Sequence, residues 1–200
     1  MALSLSRRHF LHAAGAGAAS VWVPRPVKGY TGAELQQQVV DNRLEVGISK
    51  WDLDTPALIV DLDLLEKNIS NMAEFFSKNG VNWRPHTKGQ KIPEIAILQV
   101  SSGAIGVTCA KLGEAEVMAQ HGIKDILIAN QIVGEIKIKR LIRLLDEADV
   151  IVAVDSLENG KQLSQAANLS NKQLRVMIEV DNGMGRAGVP PGKVALELSI

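Results

Sequence analysis

The sequence predicts an α/β fold in which short parallel strands alternate with helices. Short apolar segments recur every 20 to 25 residues from residue 81 onward, and helical patterns fill the gaps between them. Apolar residues make up 46% of the 200-residue chain and charged residues 22%, which is ordinary for a globular protein. The predicted strands centre near Trp83, Val107, Leu127, Val152 and Met177.

The composition excludes several classes of protein. The single cysteine, Cys109, excludes a disulfide framework and a zinc site made of cysteines alone. No apolar run is long enough for a conventional membrane-spanning helix. The chain has 22 basic and 22 acidic residues, but its first 30 residues carry four basic side chains and no acidic one. The remainder is therefore mildly acidic, which argues against nucleic acid as the main partner.

The first 30 residues are typical of an export signal. Arg7 and Arg8 precede Phe10 and a weakly apolar stretch over residues 11–23. Adjacent arginines in this setting resemble the bacterial twin-arginine signal and predict a periplasmic protein, although two chance arginines in an ordinary terminus are the alternative. We identify no clean alanine-x-alanine cleavage site in this stretch, so the sequence does not fix where the mature chain would start. We divide the chain into a signal peptide at 1–30, an N-terminal extension at 31–56 and a βα region at 57–200.

The first strand and helix of the βα region are predicted from local signals. Residues 57–60 are apolar and read as a short strand. Asp63, with Glu66 three residues later, is the expected N-cap of the following helix, and Asn79-Gly80 is its expected end. The residues expected on its buried face are Leu65, Ile69, Met72 and Phe76.

Two architectures fit the units that follow. At about 25 residues a unit, an eight-stranded barrel needs roughly 200 residues from Val81 onward, and only residues 81–200 are present. A barrel would therefore be incomplete, whereas an open doubly wound sheet of five strands would need no more chain. One strand is expected at 104–109, and helices at 92–100, 111–121, 134–146 and 157–169, with a further helix running through 197–200.

The segment over residues 81–91 carries the strongest signal for chemistry. On a strand, Asn82, Arg84, His86 and, by the same parity, Lys88 share a polar face, while Val81, Trp83 and Pro85 point the other way. A partly desolvated lysine beside other basic groups has a lowered pKa and can form a Schiff base. The alternative is a surface turn with Lys88 and Lys91 in solvent.

A glycine-rich loop follows the last predicted strand. Residues 174–181 alternate, with Arg175, Met177, Glu179 and Asp181 on the side away from the helices. The loop over 182–188 matches G-x-G-x-x-G, but Pro190-Pro191 blocks a helix directly after it, so we reject a dinucleotide site. The glycines are instead expected to turn the backbone and hold Arg186 over the strand end, or to leave Arg186 in solvent.

The remaining polar residues predict structure rather than chemistry. Cys109 is expected to be a buried small residue, and His121 to be a favourable charge at a helix end. A basic cluster is expected to be the solvated face of a helix. No metal-ligand spacing is visible. The members of that cluster are Lys137, Lys139, Arg140 and Arg143.

Several segments together resemble one family, the fold-type III pyridoxal-phosphate enzymes of the alanine racemase N-terminal domain superfamily. The branch with the greatest resemblance is that of D-threonine aldolase and eukaryotic-type D-serine dehydratase. Gln90 stands where the family often has His, and Glu179 stands where alanine racemases typically have Lys, which favours this branch. The segments that carry the resemblance are Asp54–Asp63 with Asn68-Ile69, Arg84-Pro85-His86-Thr87-Lys88, Gly106, Glu114–Val117 with Gly122, and Glu179–Val189.

The resemblance implies a fold and a cofactor site. Residues 57–200 would form a parallel βα barrel of the TIM-like type, incomplete at its C-terminus and lacking the family's β domain, to which residues 57–60 would contribute a strand. Lys88 would be the Schiff-base lysine for pyridoxal 5'-phosphate. His86 and Arg186 would also bind the cofactor, with Arg186 near its phenolic oxygen.

The resemblance also implies a reaction. We expect a lyase that acts on D-configured β-hydroxy amino acids, splitting them into glycine and an aldehyde as D-threonine aldolase does. D-serine dehydratase, an amino-acid racemase or a non-catalytic pyridoxal-phosphate carrier are the alternatives. A divalent metal (Mn, Mg or Zn) is expected only with the C-terminal domain, so this chain alone should be inactive. The expected partners are a small D-amino acid and a second subunit of a homodimer, with no nucleic acid and no membrane after export.

Overall fold

The computed structural model describes residues 29–41, 43 and 47–199. The chain divides into two compact units, residues 1–62 and 63–200. The predicted signal at 1–30 lies almost wholly outside the described residues. No helix in the described part of the chain is both long and apolar enough to cross a membrane.

The first unit contains little regular structure. Helix α1 spans Gly32–Val40 and begins with a capping box between Thr31 and Glu34, and a 3-10 helix spans Lys50–Asp52. The strand predicted at 57–60 is wrong: these residues form no strand, and Leu58 is fully exposed. A strand is stable only when a neighbour pairs with its backbone, and no described strand pairs with this segment.

Helix α2 spans Leu62–Lys78, so it begins before the predicted N-cap. Asp63 lies in its first turn and not at its cap. The expected buried face is shifted at one position: Met72 is 45% exposed, and Ala73 packs inward in its place. The helix ends as predicted, and Gly80 follows with a φ of 62°.

The rest of the second unit alternates strands and helices close to the predicted positions. Helix α6 has the predicted bounds, and the helices predicted at 92–100, 111–121 and 134–146 differ by one or two residues at each end. The helix predicted to run through 197–200 instead ends at Leu198, with Ser199 as its C-cap. The elements are α3 (Pro93–Ser101), β1 (Val107–Cys109), α4 (Leu112–Gln120), β2 (Asp125–Gln131), α5 (Glu135–Leu144), β3 (Asp149–Val154), α6 (Leu157–Leu169), β4 (Arg175–Ile178) and α7 (Lys193–Leu198).

The strand order separates the two predicted architectures. The four strands pair in parallel in the order β1-β2-β3-β4, so every strand lies beside its neighbour in sequence. A doubly wound sheet reverses its strand order and carries helices on both faces. Here residues from α3, α4, α5 and α6 pack in one core with a single face of the sheet. This is the arrangement of a partial βα barrel.

The strand predicted around Trp83 is only partly formed. Its backbone lies beside β1, with one parallel bridge between His86 and Thr108, but the segment is not a regular strand. Pro85 has no N–H to donate, which interrupts the ladder at this position. Trp83 is nevertheless buried and stacks on Phe76 of α2, with ring centroids 6.1 Å apart.

The two faces of the sheet differ in character. The outward face is apolar and buried, because Ile126, Ile128, Val150 and Val152 pack against the helices. The inner face carries charged side chains at the amino ends of the strands and polar ones at their carboxyl ends. Apolar side chains of the inner face lie between these two groups and include Leu127, Ile151, Ala153 and Met177.

Candidate active site at the carboxyl ends of the strands

The carboxyl ends of the parallel strands bring several polar side chains to one edge. His86 pairs with β1, Gln131 ends β2, Asp155 follows β3 and Glu179 follows β4. In βα barrels this edge carries the catalytic groups, because the loops after the strands meet there. The site therefore has to be sought at this edge.

Lys88 lies in a tight turn directly after His86. Its side chain is exposed, and its amine forms no hydrogen bond or ion pair with the residues that the structure describes. The expectation that Lys88 is partly desolvated is therefore wrong. Lys91 is also exposed, but its amine pairs with Glu114 at 3.3 Å. Lys88 is thus an accessible primary amine at the edge where a barrel enzyme holds its cofactor.

The setting of His86 favours the neutral form of its ring. Desolvation and the positive charge of Lys88 both lower the pKa of His86. Its Nδ1 lies 3.3 Å from the backbone N–H of Lys88, and a neutral ring can accept that hydrogen bond. His86 therefore fixes the start of the turn that carries Lys88.

Arg84 does not lie beside Lys88, contrary to the sequence-based interpretation. Its side chain points to the amino ends of the strands, where Nη1 donates to Oδ1 of Asp125 at 2.8 Å. Strand parity places Arg84 and Lys88 on the same face. Each residue of an extended segment advances about 3.3 Å along the strand, however, so residues four apart lie at different levels of that face. Arg175 donates to the same Asp125 oxygen at 3.1 Å and to Asp149 at 2.8 Å. These four groups form an ion-pair network remote from Lys88.

Three side chains at the carboxyl edge form a hydrogen-bonded cluster. Nε2 of Gln131 donates to Oε2 of Glu179 at 2.6 Å and to Oδ2 of Asp155 at 2.9 Å. Strand parity places Glu179 on this face, whereas Gln131 and Asp155 are not among the predicted site residues. The available signal was position, because Gln131 is the last residue of β2 and Asp155 directly follows β3.

The glycine loop binds a carboxylate of its own chain. The backbone N–H groups of Gly183 and Gly185 donate to the side chain of Asp181 at 3.0 Å. The bonds from Gly185 and then Gly183 lower the pKa of Asp181. Gly188 sits where a Cβ would lie 2.8 Å from the Asp181 nitrogen, which only glycine tolerates. These amides are already used, and α7 begins only at Lys193, so the loop is no dinucleotide site.

Arg186 is exposed on this loop. It forms no hydrogen bond or ion pair with the described part of the chain. Its cation is free to bind an anionic group, and its role in binding a cofactor stays a prediction.

Two cavities adjoin the sheet, but neither contains the predicted site residues. One, of about 530 Å³, lies between α4 and α5 and is lined by Lys91, Glu114 and Gln131. The other, of about 840 Å³, lies against β4 and α6. Lys88, His86 and Arg186 line neither of them.

The residues assigned to structure lie where the sequence predicts, and Arg140 has in addition an ion-pair partner. Cys109 is completely buried, and burial raises the pKa of its thiol. His121 is the C-cap of α4. In the basic cluster of α5, Lys137, Lys139 and Arg143 are exposed, while Arg140 forms an ion pair with Glu116 of α4.

No group of three or more potential metal ligands occurs among the described residues. Pyridoxal 5'-phosphate needs a free amine with space beside it, and Lys88 fits that need. The described residues thus include an accessible primary amine at Lys88 and no cluster of three or more potential metal ligands.

Comparison with known proteins places this geometry in a family. Residues 60–199 match the family "Alanine racemase, N-terminal domain". The 3-hydroxy-D-aspartate aldolase of Paracoccus denitrificans is 39% identical over 155 residues, 76% of this chain and 40% of that protein. The D-threo-3-hydroxyaspartate dehydratase of a Delftia species is 32% identical over 149 residues, 74% of this chain and 39% of that protein.

A solved structure agrees with the sequence matches. The crystal structure of D-threonine aldolase from Filomicrobium marinum superposes with a TM-score of 0.72 at 42% identity, covering 74% of this chain and 40% of that one. The chain spans about 40% of the length of the relatives it matches. Pyridoxal phosphate is the cofactor expected for this fold type. The chain belongs to the alanine racemase N-terminal domain family and forms part of its parallel βα barrel.

Proposed function

We propose that the protein is a pyridoxal-phosphate-dependent lyase that splits D-configured β-hydroxy amino acids into glycine and an aldehyde. The observation that carries the proposal is the accessible amine of Lys88 at the carboxyl edge of the strands, in a chain about 40% identical to enzymes named as aldolases. Aldolases with the names 3-hydroxy-D-aspartate aldolase and D-threonine aldolase support this substrate class.

Three residues of this chain would bind the cofactor or move a proton beside it. Lys88 would hold the cofactor covalently through its amine, and the exposed Arg186 would bind an anionic oxygen of the cofactor. His86, neutral and adjacent, can take up a proton near the Lys88 amine. The bound cofactor would supply an electron sink for the bond-breaking step.

Metal dependence and export are further parts of the proposal. The family resemblance supports a divalent metal ion in the reaction, although the described residues include no cluster of three or more potential ligands to which we could assign it. The twin-arginine pattern at Arg7 and Arg8 supports a periplasmic location, and the family resemblance supports a homodimer.

A dehydratase is the second candidate. The relative from Delftia, named D-threo-3-hydroxyaspartate dehydratase, is 32% identical and supports it. The products separate the two reactions, because an aldolase releases glycine and an aldehyde whereas a dehydratase releases ammonia and an oxo acid.

The first experiment tests the cofactor lysine. Pyridoxal phosphate is added to the chain, borohydride reduces the adduct, and peptide mass mapping locates the label. We expect the label on Lys88, because its amine is free. Lys88→Arg should abolish it, while the matched control Lys91→Arg, three residues away in the same exposed turn, should retain it. Labelling spread over surface lysines of a folded chain would overturn the proposal.

A further inference from the structure

We propose that Thr87 is the residue that positions Lys88, an inference that rests on the proposed role of Lys88 as the cofactor lysine. Thr87 immediately precedes Lys88 and is completely buried, whereas Lys88 is exposed. Its backbone and its hydroxyl join the turn that carries Lys88 to strand β1.

Two bonds from Thr87 meet at one oxygen of β1. The Thr87 N–H donates to the carbonyl oxygen of Thr108 at 2.8 Å, and the Thr87 hydroxyl donates to the same oxygen at 3.0 Å. A carbonyl oxygen has two lone pairs, so both bonds can form together. Because Pro85 cannot donate a backbone hydrogen bond, the N–H and the hydroxyl of Thr87 are the donors that tie this segment to β1 here.

The Thr87 hydroxyl also has a partner for its lone pairs. Its oxygen lies 3.6 Å from the sulfur of Cys109. The hydroxyl has a single proton, which it donates to Thr108, so the thiol is the donor in this contact. Burial raises the pKa of Cys109, which keeps the thiol protonated for this task. Loss of the hydroxyl would leave the buried thiol without its acceptor.

The carbonyl of Thr87 closes the turn on its other side. It accepts a hydrogen bond from the Lys91 N–H at 2.8 Å, and Lys91 adopts a φ of 54°, which few residues other than glycine adopt. The backbone of Lys88 is thereby held between β1 and a closed turn. A lysine amine has to be placed accurately to meet an aldehyde, and its own flexible stem cannot provide that accuracy.

The test compares variants that differ in this one hydroxyl. Thr87→Val removes it and keeps the shape, Thr87→Ser keeps it, and Ile142→Val destabilises the core on α5, away from the turn. Each chain is titrated with pyridoxal phosphate and reduced, and the label on Lys88 is quantified, while circular dichroism checks folding. We expect Thr87→Val to need about tenfold more cofactor for half-labelling, and Thr87→Ser and Ile142→Val to stay within about threefold of the wild type.

The outcomes separate this inference from the proposed function. No label on Lys88 in the wild type would overturn the proposed function and this inference with it. A label on Lys88 that is equal in the wild type and Thr87→Val would overturn the positioning role alone. Equal loss in Thr87→Val and Ile142→Val would also overturn it, since the loss would then follow stability. If Thr87→Val does not fold, Thr87→Ala takes its place with the same expectation.

Discussion

Two neighbouring groups on the inner face of the sheet leave no room for a side chain at Gly106. A Cβ there would lie 2.3 Å from the carbonyl oxygen of Asp125 and 2.5 Å from Nη1 of Arg84. The backbone of Asp125 cannot retreat without moving β2, and Arg84 is fixed by its ion pair with Asp125. Because Gly106 has no side chain, Arg84 can pass beside it and reach Asp125.

We expect Gly106→Ala to lower the free energy of unfolding by about 1–3 kcal/mol, because the added methyl group overpacks this contact. Urea denaturation measures the change. The matched control is Gly113→Ala within α4, where the nearest atom to a Cβ is 3.8 Å away. There the better helix former should raise stability by about 0.5–1 kcal/mol. Equal effects of the two substitutions would contradict the steric argument.

His86 predicts a pH dependence with a defined sign. Desolvation and the charge of Lys88 lower the pKa of His86 in the folded chain, while a backbone hydrogen bond with Thr108 and the charge of Glu114 oppose the shift. The unfolded chain therefore binds the proton more readily, so stability is lost as pH falls from the ordinary value of about 6.5 towards the lowered pKa. Protonation also removes the Nδ1 acceptor for the Lys88 N–H. Between pH 8 and pH 5, His86→Gln should lose less stability than the wild type, as followed by thermal melting. Equal losses in the two chains would contradict this prediction.

At the scale of elements, helices were predictable and weakly paired strands were not. The pattern of α6 placed both of its ends correctly, because helical periodicity is a local signal, and the structure shows Ser156 as its N-cap. The segment at 57–60 shows the opposite case: its apolar residues predict a strand, but pairing depends on a partner that the pattern cannot supply. Residues 81–86 lie between these cases, since Trp83 packs as predicted while Pro85 prevents a full ladder.

The candidate site was predictable only in part for the same reason. Lys88 and His86 stand in one segment, so the sequence alone brings them together. Gln131, Asp155 and Glu179 come from three strands, and only the parallel order places them within hydrogen-bond distance. Strand parity assigns a residue to a face but not to a level along the strand. Arg84 was therefore assigned to the wrong end of the sheet.

On the inner face of the sheet in the second unit, the ion-pair network and the proposed cofactor lysine lie at opposite ends of the strands. The network of Arg84, Asp125, Arg175 and Asp149 occupies the amino ends of the strands, and Lys88 lies at the carboxyl edge. In βα barrels the amino-terminal end contributes stability and the carboxyl-terminal end carries catalytic groups. A change in the network should therefore alter stability without altering the chemistry of Lys88.

Asp125 is the residue that tests this separation, because one of its oxygens accepts hydrogen bonds from two arginines. Asp125→Asn leaves both cations without their shared anion, and we expect it to cost about 1–3 kcal/mol of unfolding free energy, since the group is partly exposed. The exposed pair Glu135–Lys139 on α5 is the control, where Glu135→Gln should cost at most about 0.5 kcal/mol. In the folded Asp125→Asn chain, labelling of Lys88 by pyridoxal phosphate should stay within about twofold of the wild type, because Thr87 and not Arg84 anchors the turn. Loss of the label in a folded chain would show that the two ends of the inner face act as one unit.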